Sequence, residues 1–453
     1  MTTERGRAEE GELADVFRWL EQRENDWIAL RREFHRRPEL LFDVDRTAAR
    51  VAVLLEQAGV EVRRRVGRHF GKGVVGTLRG GRPGPTVLLR ADMDALSIRE
   101  AEGAVYRSEI EGVMHACGHD AHMAMLIAAA CALGRFRERL PGTVLFVFQP
   151  AEEGAAPSPL DGELRSGGRD LVESGVADEA AAAFALHVWP QLPVGQMAVH
   201  SKEAMAASTH FQVSFQGRSG HHGSPHLAAD ALLMAAHFVV EAHSAAASAA
   251  DPLEPVSFAF GKLRAGTVGN AIAESAEVLG TYRAFADGTV ARIRSLLERC
   301  AAACAERFGG ASETRFRMGK ALINDGEAVR LALRSGARVF GEEHVRLLDK
   351  PSLAGEDFAY YLDKAPGAMV LVGVGNAERG IALPLHHPSF DLDERALVLG
   401  AKLHAQLAFD ALRTRAFVRT GSSAAACTSW SRERDLAKRR ESFCAKTGNK
   451  DRQ

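Results

Sequence analysis

The sequence predicts an α/β protein: a mostly parallel sheet flanked by helices, interrupted by a smaller inserted α+β sandwich. Three observations predict it. Amphipathic helical stretches alternate with short β-branched runs over residues 13–197. From about 198 to 318 the pattern changes to polar–apolar alternation, in the order strand–helix–strand–strand–helix–strand. The first pattern then returns with "AMVLVGVG" at 368–375, so the second is an insertion and 319–417 completes the first domain.

Taken in order, "ADVFRWLEQRENDWIALRREFHRRPEL" reads as one helix over 13–40, ended by Pro38, and a second over 45–59 closes at Gly59. Strand-like runs follow in "GVVGTLRG", "GRPGPTVLLRADMDAL" and "GTVLFVFQPAEEG", with an apolar helix from about 120. The run "TVLFVF" is continuous, β-branched and aromatic, as a strand buried on both faces should be. In the insertion, "THFQVSFQG" alternates like a half-exposed antiparallel strand. An alanine-rich helix (226–248), strands "PVSFAFGKLRAG" and "ESAEVLGTYRAF", and a helix (287–308) complete it. The tail 418–453 is polar and poor in large aliphatics, and is expected to be disordered.

Composition narrows the partners. The chain has 453 residues, too many for one ordinary core, with 46% hydrophobic and 25% charged residues and a formal net charge of -1. That balance predicts neither nucleic acid nor an anionic membrane as partner. The N-terminal stretch is charged, without a secretory h-region, and no run of about 18 uncharged apolar residues occurs. Six sparse cysteines (117, 131, 300, 304, 427 and 444) in no framework spacing fit reduced thiols, so a cytoplasmic location is expected. Cys300 and Cys304, four apart in an apolar helical pattern, read as core.

Five patches carry ligand-type side chains at the edges of apolar segments: "RADMDAL" (Asp92, Asp94), "HACGHDAH" (Cys117, His119, Asp120, His122), "QPAEEG" (Glu152, Glu153), "ALHVWP" (His187) and "LHHP" (His386, His387). Ligands gather at the carboxyl ends of strands in open α/β sheets. Packing alone does not account for five such patches, because buried carboxylates and imidazoles need partners. A single histidine such as His210 or His243 reads instead as a solvated or satisfied side chain. Thiolate, imidazole and carboxylate together suit borderline divalent ions: Zn, Mn, Co or Ni. In extended backbone the adjacent Glu152 and Glu153 point opposite ways, so one can ligate while the other faces a water and shuttles its proton. No G-x-S-x-G elbow and no G-x-x-x-x-G-K-[ST] loop competes with that chemistry.

"RADMDAL", "MHACGHDAHMA", "FQPAEEG", "ALHVWPQLPVG", "AGEDFAYYL" and "LHHPSFDLDERAL" resemble, in order and spacing, the metal-dependent aminoacylase/carboxypeptidase family. The nearest branch is the amidohydrolases that include hippurate hydrolase and indole-acetyl-amino-acid hydrolase, and the likeness spans about 25–412. The resemblance implies a di-metal catalytic domain and an inserted lid that also forms a homodimer. It implies two divalent ions per subunit, Mn or Zn, with Co or Ni as further candidates. It makes Cys117, His119, Glu153, His187 and His386 their ligands, Glu152 the general base and Asp94 a carboxylate that orients a ligand. In the lid, "FQGRSGHHGSPH" and "TVGNAIAESAEVLGTYR" are similar to stretches that make His221, Asn270 and Arg283 substrate-binding residues, His221 across the dimer interface. The implied reaction is hydrolysis of N-acyl or N-aroyl amino acids. A dipeptidase or carboxypeptidase on the same fold, or a non-catalytic small-molecule-binding relative, are the alternatives. The sequence departs from the family pattern at Ser97, His222, Ala273 and the loop 155–168, none of them a ligand position.

Overall fold

The computed structural model describes residues 13–414 and 417. The expected disorder of 418–453 concerns residues outside that range. Eight strands form the larger sheet: β1 (Glu61–Val66), β2 (Gly73–Arg79), β3 (Arg82–Asp92), β4 (Pro141–Gln149), β5 (Ala182–Pro193), β6 (Met197–His200), β11 (Val345–Leu348) and β12 (Gly367–Gly375). Their order is β1-β2-β4-β3-β5-β12-β6-β11. The central strands β4, β3, β5 and β12 run parallel, as the continuous apolar runs require. The β1–β2, β2–β4 and β12–β6 pairs are antiparallel, so the sheet is mixed toward both margins.

The smaller sheet contains β7 (Ala207–Gln216), β8 (Ser257–Ala265), β9 (Ser275–Ala284) and β10 (Ala311–Arg317), in the order β8-β9-β7-β10, all antiparallel. Helices Ala231–Ala249 and Asp287–Arg307 cover one face. Phe211, Val213 and Phe215 of β7 meet Met234, Phe238, Ile293 and Leu297 there, a core separate from that of the larger sheet. Along β7 buried and half-buried residues alternate, the period-2 signature of a sheet covered on one side. Ala231–Ala249 is also, among the described residues, long and apolar enough to cross a membrane, but its buried side packs in this core.

Several expected boundaries move. Residues 13–40 form two helices, Ala14–Glu21 and Glu24–Arg36, because the chain turns at Gln22 and Arg23. Met197–His200 pairs with β12 and β11, so the larger sheet runs past the expected break at 197/198 and the smaller one starts at Ala207. The alanine-rich helix begins at Ala231, five residues later than its pattern suggests, because Asp230 caps it by accepting from Leu232 and Leu233 N–H.

Candidate metal centre

The site lies where the central parallel strands end. β3 delivers Asp92 at its last residue and Asp94 just beyond. Glycine at 118 takes a left-handed φ of 83° and opens helix His119–Arg135, so Cys117 and His119 flank the turn. A Cβ at Gly118 would stand 2.4 Å from Val188 Cγ2, so the close strand–loop approach also needs glycine. His187 lies inside β5 rather than at its end. The pairing of β5 with β3 stops at Ala185, so His187 reaches the space beyond the shorter strand. His386 sits on a loop at φ 66°, uncommon for a non-glycine residue, and its N–H donates to Ala116 O at 2.8 Å.

Two of the candidate ligands, His119 and His187, are held in fixed orientation. His119 Nδ1 donates to Asp94 O at 2.8 Å and His187 Nδ1 to Val188 O at 2.7 Å, leaving both Nε2 atoms for another partner. His187 Nε2 is 3.6 Å from Cys117 Sγ. Glu153 Oε1 is 3.5 Å from His386 Nε2 and 3.8 Å from His119 Nε2. His119 Nε2 and Glu153 Oε1 are buried without any hydrogen-bond partner. Ligand atoms of Cys117, His119 and His187, and again of Cys117, Glu153 and His386, lie within 4.8 Å of one another. Orphaned donor atoms in a soft-plus-borderline ligand set fit divalent metal, with Cys117 common to both groups.

His122 is different. Its Nδ1 meets Asp92 Oδ1 at 2.6 Å and its Nε2 accepts Val188 N–H at 2.9 Å, so both nitrogens are spent on positioning. Asp120 is likewise bound by Arg31 and His35 behind the site.

The two glutamates depart from extended geometry. Ala151 has φ 48°, and in the turn that follows both carboxylates approach the same atom: Glu152 Oε2 is 3.9 Å from His119 Nε2. Asp94 holds this turn, its carboxylate accepting Glu152 N–H at 2.9 Å and Glu153 N–H at 3.1 Å. Beside it, the buried Arg90 bonds Asp92 (2.7 Å), Glu356 (3.1 Å) and Asp357 (3.0 Å), cross-bracing β3 to the loop before Phe358.

Charge crowding shows in the titration. Burial, then the charges of Glu356, Glu153 and Asp357, push Glu152 well above the ordinary carboxyl range. Burial, then Glu153, Glu152 and Asp92, does the same to the Cys117 thiol. Burial opposes charge on His119, yet Asp92, Asp94 and Glu153 carry it up to about 10. Glu356 is pushed up to about 7 by burial against Arg90. The cluster holds more negative charge than its own cations match, which a bound divalent ion relieves.

Cys117, Glu152, Glu153, His187, Glu356 and His386 line one side of a cleft of about 430 Å³, and Ser208, His210, Arg283 and Arg317 of the smaller sheet line the other. Of the residues expected to bind substrate, Arg283 lies in this cleft. His221 and Asn270 do not: they sit at an exposed pairing of Gly220–His221 with Ala271–Ile272. Glu356 and Asp357 were visible in "AGEDFAYYL" without an assigned role. Arg90 sits in a run that reads as plain buried strand. His210, read as solvated, and Arg317 carried no signal, since both occupy the polar phase of alternating strands.

An N-acetylcysteine deacetylase of Bacillus subtilis is 34% identical over 388 residues, 85% of this chain and 97% of that protein. An IAA-amino acid hydrolase ILR1-like protein of Arabidopsis thaliana is 33% identical over 87% of this chain and 86% of its own length. The crystal structure of the Bacillus subtilis YXEP protein, described as a dinuclear metal binding peptidase, superposes with TM-score 0.71 at 31% identity, covering 87% of this chain and 99% of that one. The model of peptidase family M20/M25/M40 matches residues 88–410, a span that contains every ligand-type residue gathered in the cleft, and this chain is a metal-dependent amidohydrolase belonging to that family.

Proposed function

We propose that this enzyme hydrolyses the amide bond of N-acyl or N-aroyl amino acids of the hippurate kind, releasing a carboxylate and a free amino acid. The observation that carries the reading is Glu152, a half-buried carboxylate beside the candidate ligand set yet not needed to complete either of its two groups. Cys117, His119 and His187 would hold one divalent ion, and Glu153, His386 and the shared Cys117 the other. Mn or Zn suits these donors, and Co or Ni fits the same set. When bound, such ions supply an acidified water and polarise an amide carbonyl. Glu152 takes a proton at its carboxylate and passes it to the leaving amine, a task served by its raised affinity for protons. Asp94 keeps that carboxylate in place through the two backbone bonds. Arg283 offers a planar fork to the substrate's α-carboxylate.

His221 and Asn270, exposed and outside their own chain's cleft, belong in this reading to the partner's cleft in a homodimer formed through the smaller domain. The sparse cysteines, free at Cys117, Cys131, Cys300 and Cys304 among the described residues, support a cytoplasmic setting. Sedimentation, and mixing of His221→Ala with Glu152→Gln chains, tests the dimer: recovery of activity on mixing is expected, and its absence refutes the shared site.

The activity is tested by giving metal-stripped protein Mn or Zn and a panel of hippurate, N-acetyl amino acids and simple dipeptides. Metal-dependent release of amino acid from the acylated members is expected. Release from dipeptides alone would establish a peptidase instead, and silence with metal bound would leave a binding protein. Glu152→Gln should retain metal and lose nearly all turnover; near-normal turnover removes Glu152 from the mechanism.

A further inference from the structure

The face of the smaller sheet opposite its helices looks into the cleft, and its charge exceeds what one carboxylate needs. In register, Ser208 stands opposite Arg283 and His210 opposite Arg317, on adjacent strand pairs of one sheet. All four are half-buried and all four line the cleft. His210 adds no charge at neutral pH: burial, with Arg317 and Arg283 beside it, holds it down to about 4. The patch is therefore dicationic.

The other cations of the cleft are matched. Arg169 bonds Glu173 at 2.8 Å and Glu163 at 3.1 Å, and Lys320 meets Asp363 at 2.8 Å. Among the described residues the Arg283 side chain has only a backbone acceptor, donating to Leu353 O at 2.6 Å. The Arg317 side chain forms no ion pair or hydrogen bond among the described residues. The acids whose charge acts on it are Glu152 and Asp357, and Asp357 already accepts from Arg90, Gln149 and the Gly168 N–H. Burial lowers the proton affinity of both half-buried guanidinium groups, Arg283 lowers that of Arg317 further, and neither forms an ion pair among the described residues, so both call for anionic partners.

We propose that Arg317 is a specificity-determining residue that binds a second carboxylate on the substrate, so that the amino-acid portion is acidic: an N-acyl aspartate or glutamate. This rests on the amidohydrolase reading above. Arg283 takes the α-carboxylate and Arg317 the side-chain carboxylate, each through charge-assisted bonds made once the acyl group reaches the metal cluster. A glutamine or methionine side chain leaves Arg317 as unsatisfied as it is in the free protein.

The test compares N-acetylglutamate, N-acetylglutamine and N-acetylmethionine on the metal-loaded full chain and on Arg317→Met and Arg317→Lys. One charge-assisted contact predicts a preference in kcat/KM of roughly 10- to 100-fold for the glutamyl over the glutaminyl substrate. Arg317→Met should remove that preference, mainly through KM, with metal content and circular dichroism unchanged, and Arg317→Lys should restore part of it. A wild-type enzyme indifferent to the second carboxylate, or a preference that survives Arg317→Met, overturns the proposal. Calorimetry with glutarate and butyrate reads the same subsite without turnover. An Arg317-dependent preference for glutarate supports the proposal even if no N-acyl substrate is hydrolysed, an outcome that would defeat only the amidohydrolase reading. Equal binding of the two acids overturns the proposal.

Discussion

Asp94→Ala is the perturbation that most directly tests how the site is assembled. The Asp94 side chain is fully buried, and its two oxygens accept the Glu152 and Glu153 N–H groups at 2.9 and 3.1 Å. A hydrogen bond to a charged group contributes about 1.5–3 kcal/mol, so the pair is worth roughly 3–6 kcal/mol to the placement of this turn. Water entering the space left by the carboxylate recovers part of that. Lost orientation of a metal-binding carboxylate costs typically 10- to 100-fold in affinity, or about 1.4–2.8 kcal/mol, which fits within the remainder. The assay is competitive titration of Mn or Zn into the stripped variant, with metal per chain and melting temperature measured in parallel. Weakened binding with the fold intact is expected. Asp94→Asn, which keeps one acceptor oxygen, should fall between wild type and alanine. Affinity within twofold of wild type in Asp94→Ala would refute the reasoning, because the glutamates would then be held by something other than this clamp.

Three further outcomes follow from the same geometry. Cys117→Ala removes the atom common to both ligand groups, so metal per chain should drop, and unchanged content by elemental analysis would exclude a ligand role. Gly118→Ala combines a left-handed φ with a 2.4 Å approach to Val188, and should cost about 2 kcal/mol or more in urea unfolding while loosening metal; a neutral effect would mean that the turn is not strained. His404, buried in Ala396–Arg413, is held down to about 3 by burial and by His122. The unfolded chain therefore binds the extra proton between about pH 6.5 and 3, and this residue's stabilisation, complete above that window, falls by about 3 kcal/mol on going from pH 7 to 4. His404→Gln should flatten that part of the pH–stability curve, and an unchanged slope would show that His404 is not the group responsible.

The ligand-type residues were legible because chemistry constrains them locally. "HACGHDAH" and "QPAEEG" place thiol, imidazole and carboxylate where apolar segments end, and neither helix nor strand packing calls for them there. The strand order of the insertion was legible for a similar reason, since a sheet covered on one face imposes period-2 alternation residue by residue. The opposed glutamates misled, because the expectation assumed extended backbone where Ala151 turns at positive φ and Asp94 gathers both N–H groups. His210 and Arg317 were invisible for a complementary reason: a polar residue facing water and one facing a cleft occupy the same phase of a strand.

The sequence by itself pointed to the α/β class, the change of pattern within it, the ligand-type side chains and the glutamate pair, all of which depend on side-chain type and short-range spacing. Only the tertiary structure decided which nitrogen of His119 and His187 is left free, how Asp94 and Arg90 brace the cluster, and which sheet face closes the cleft. Those features join residues far apart in the chain: Arg90 with Asp357, Cys117 with His187, His386 with Glu153. The placement of His221 and Asn270 outside the cleft belongs to the same class. Contacts of that span depend on which distant strands become neighbours in the sheet, and the side-chain pattern within one segment does not name its neighbour.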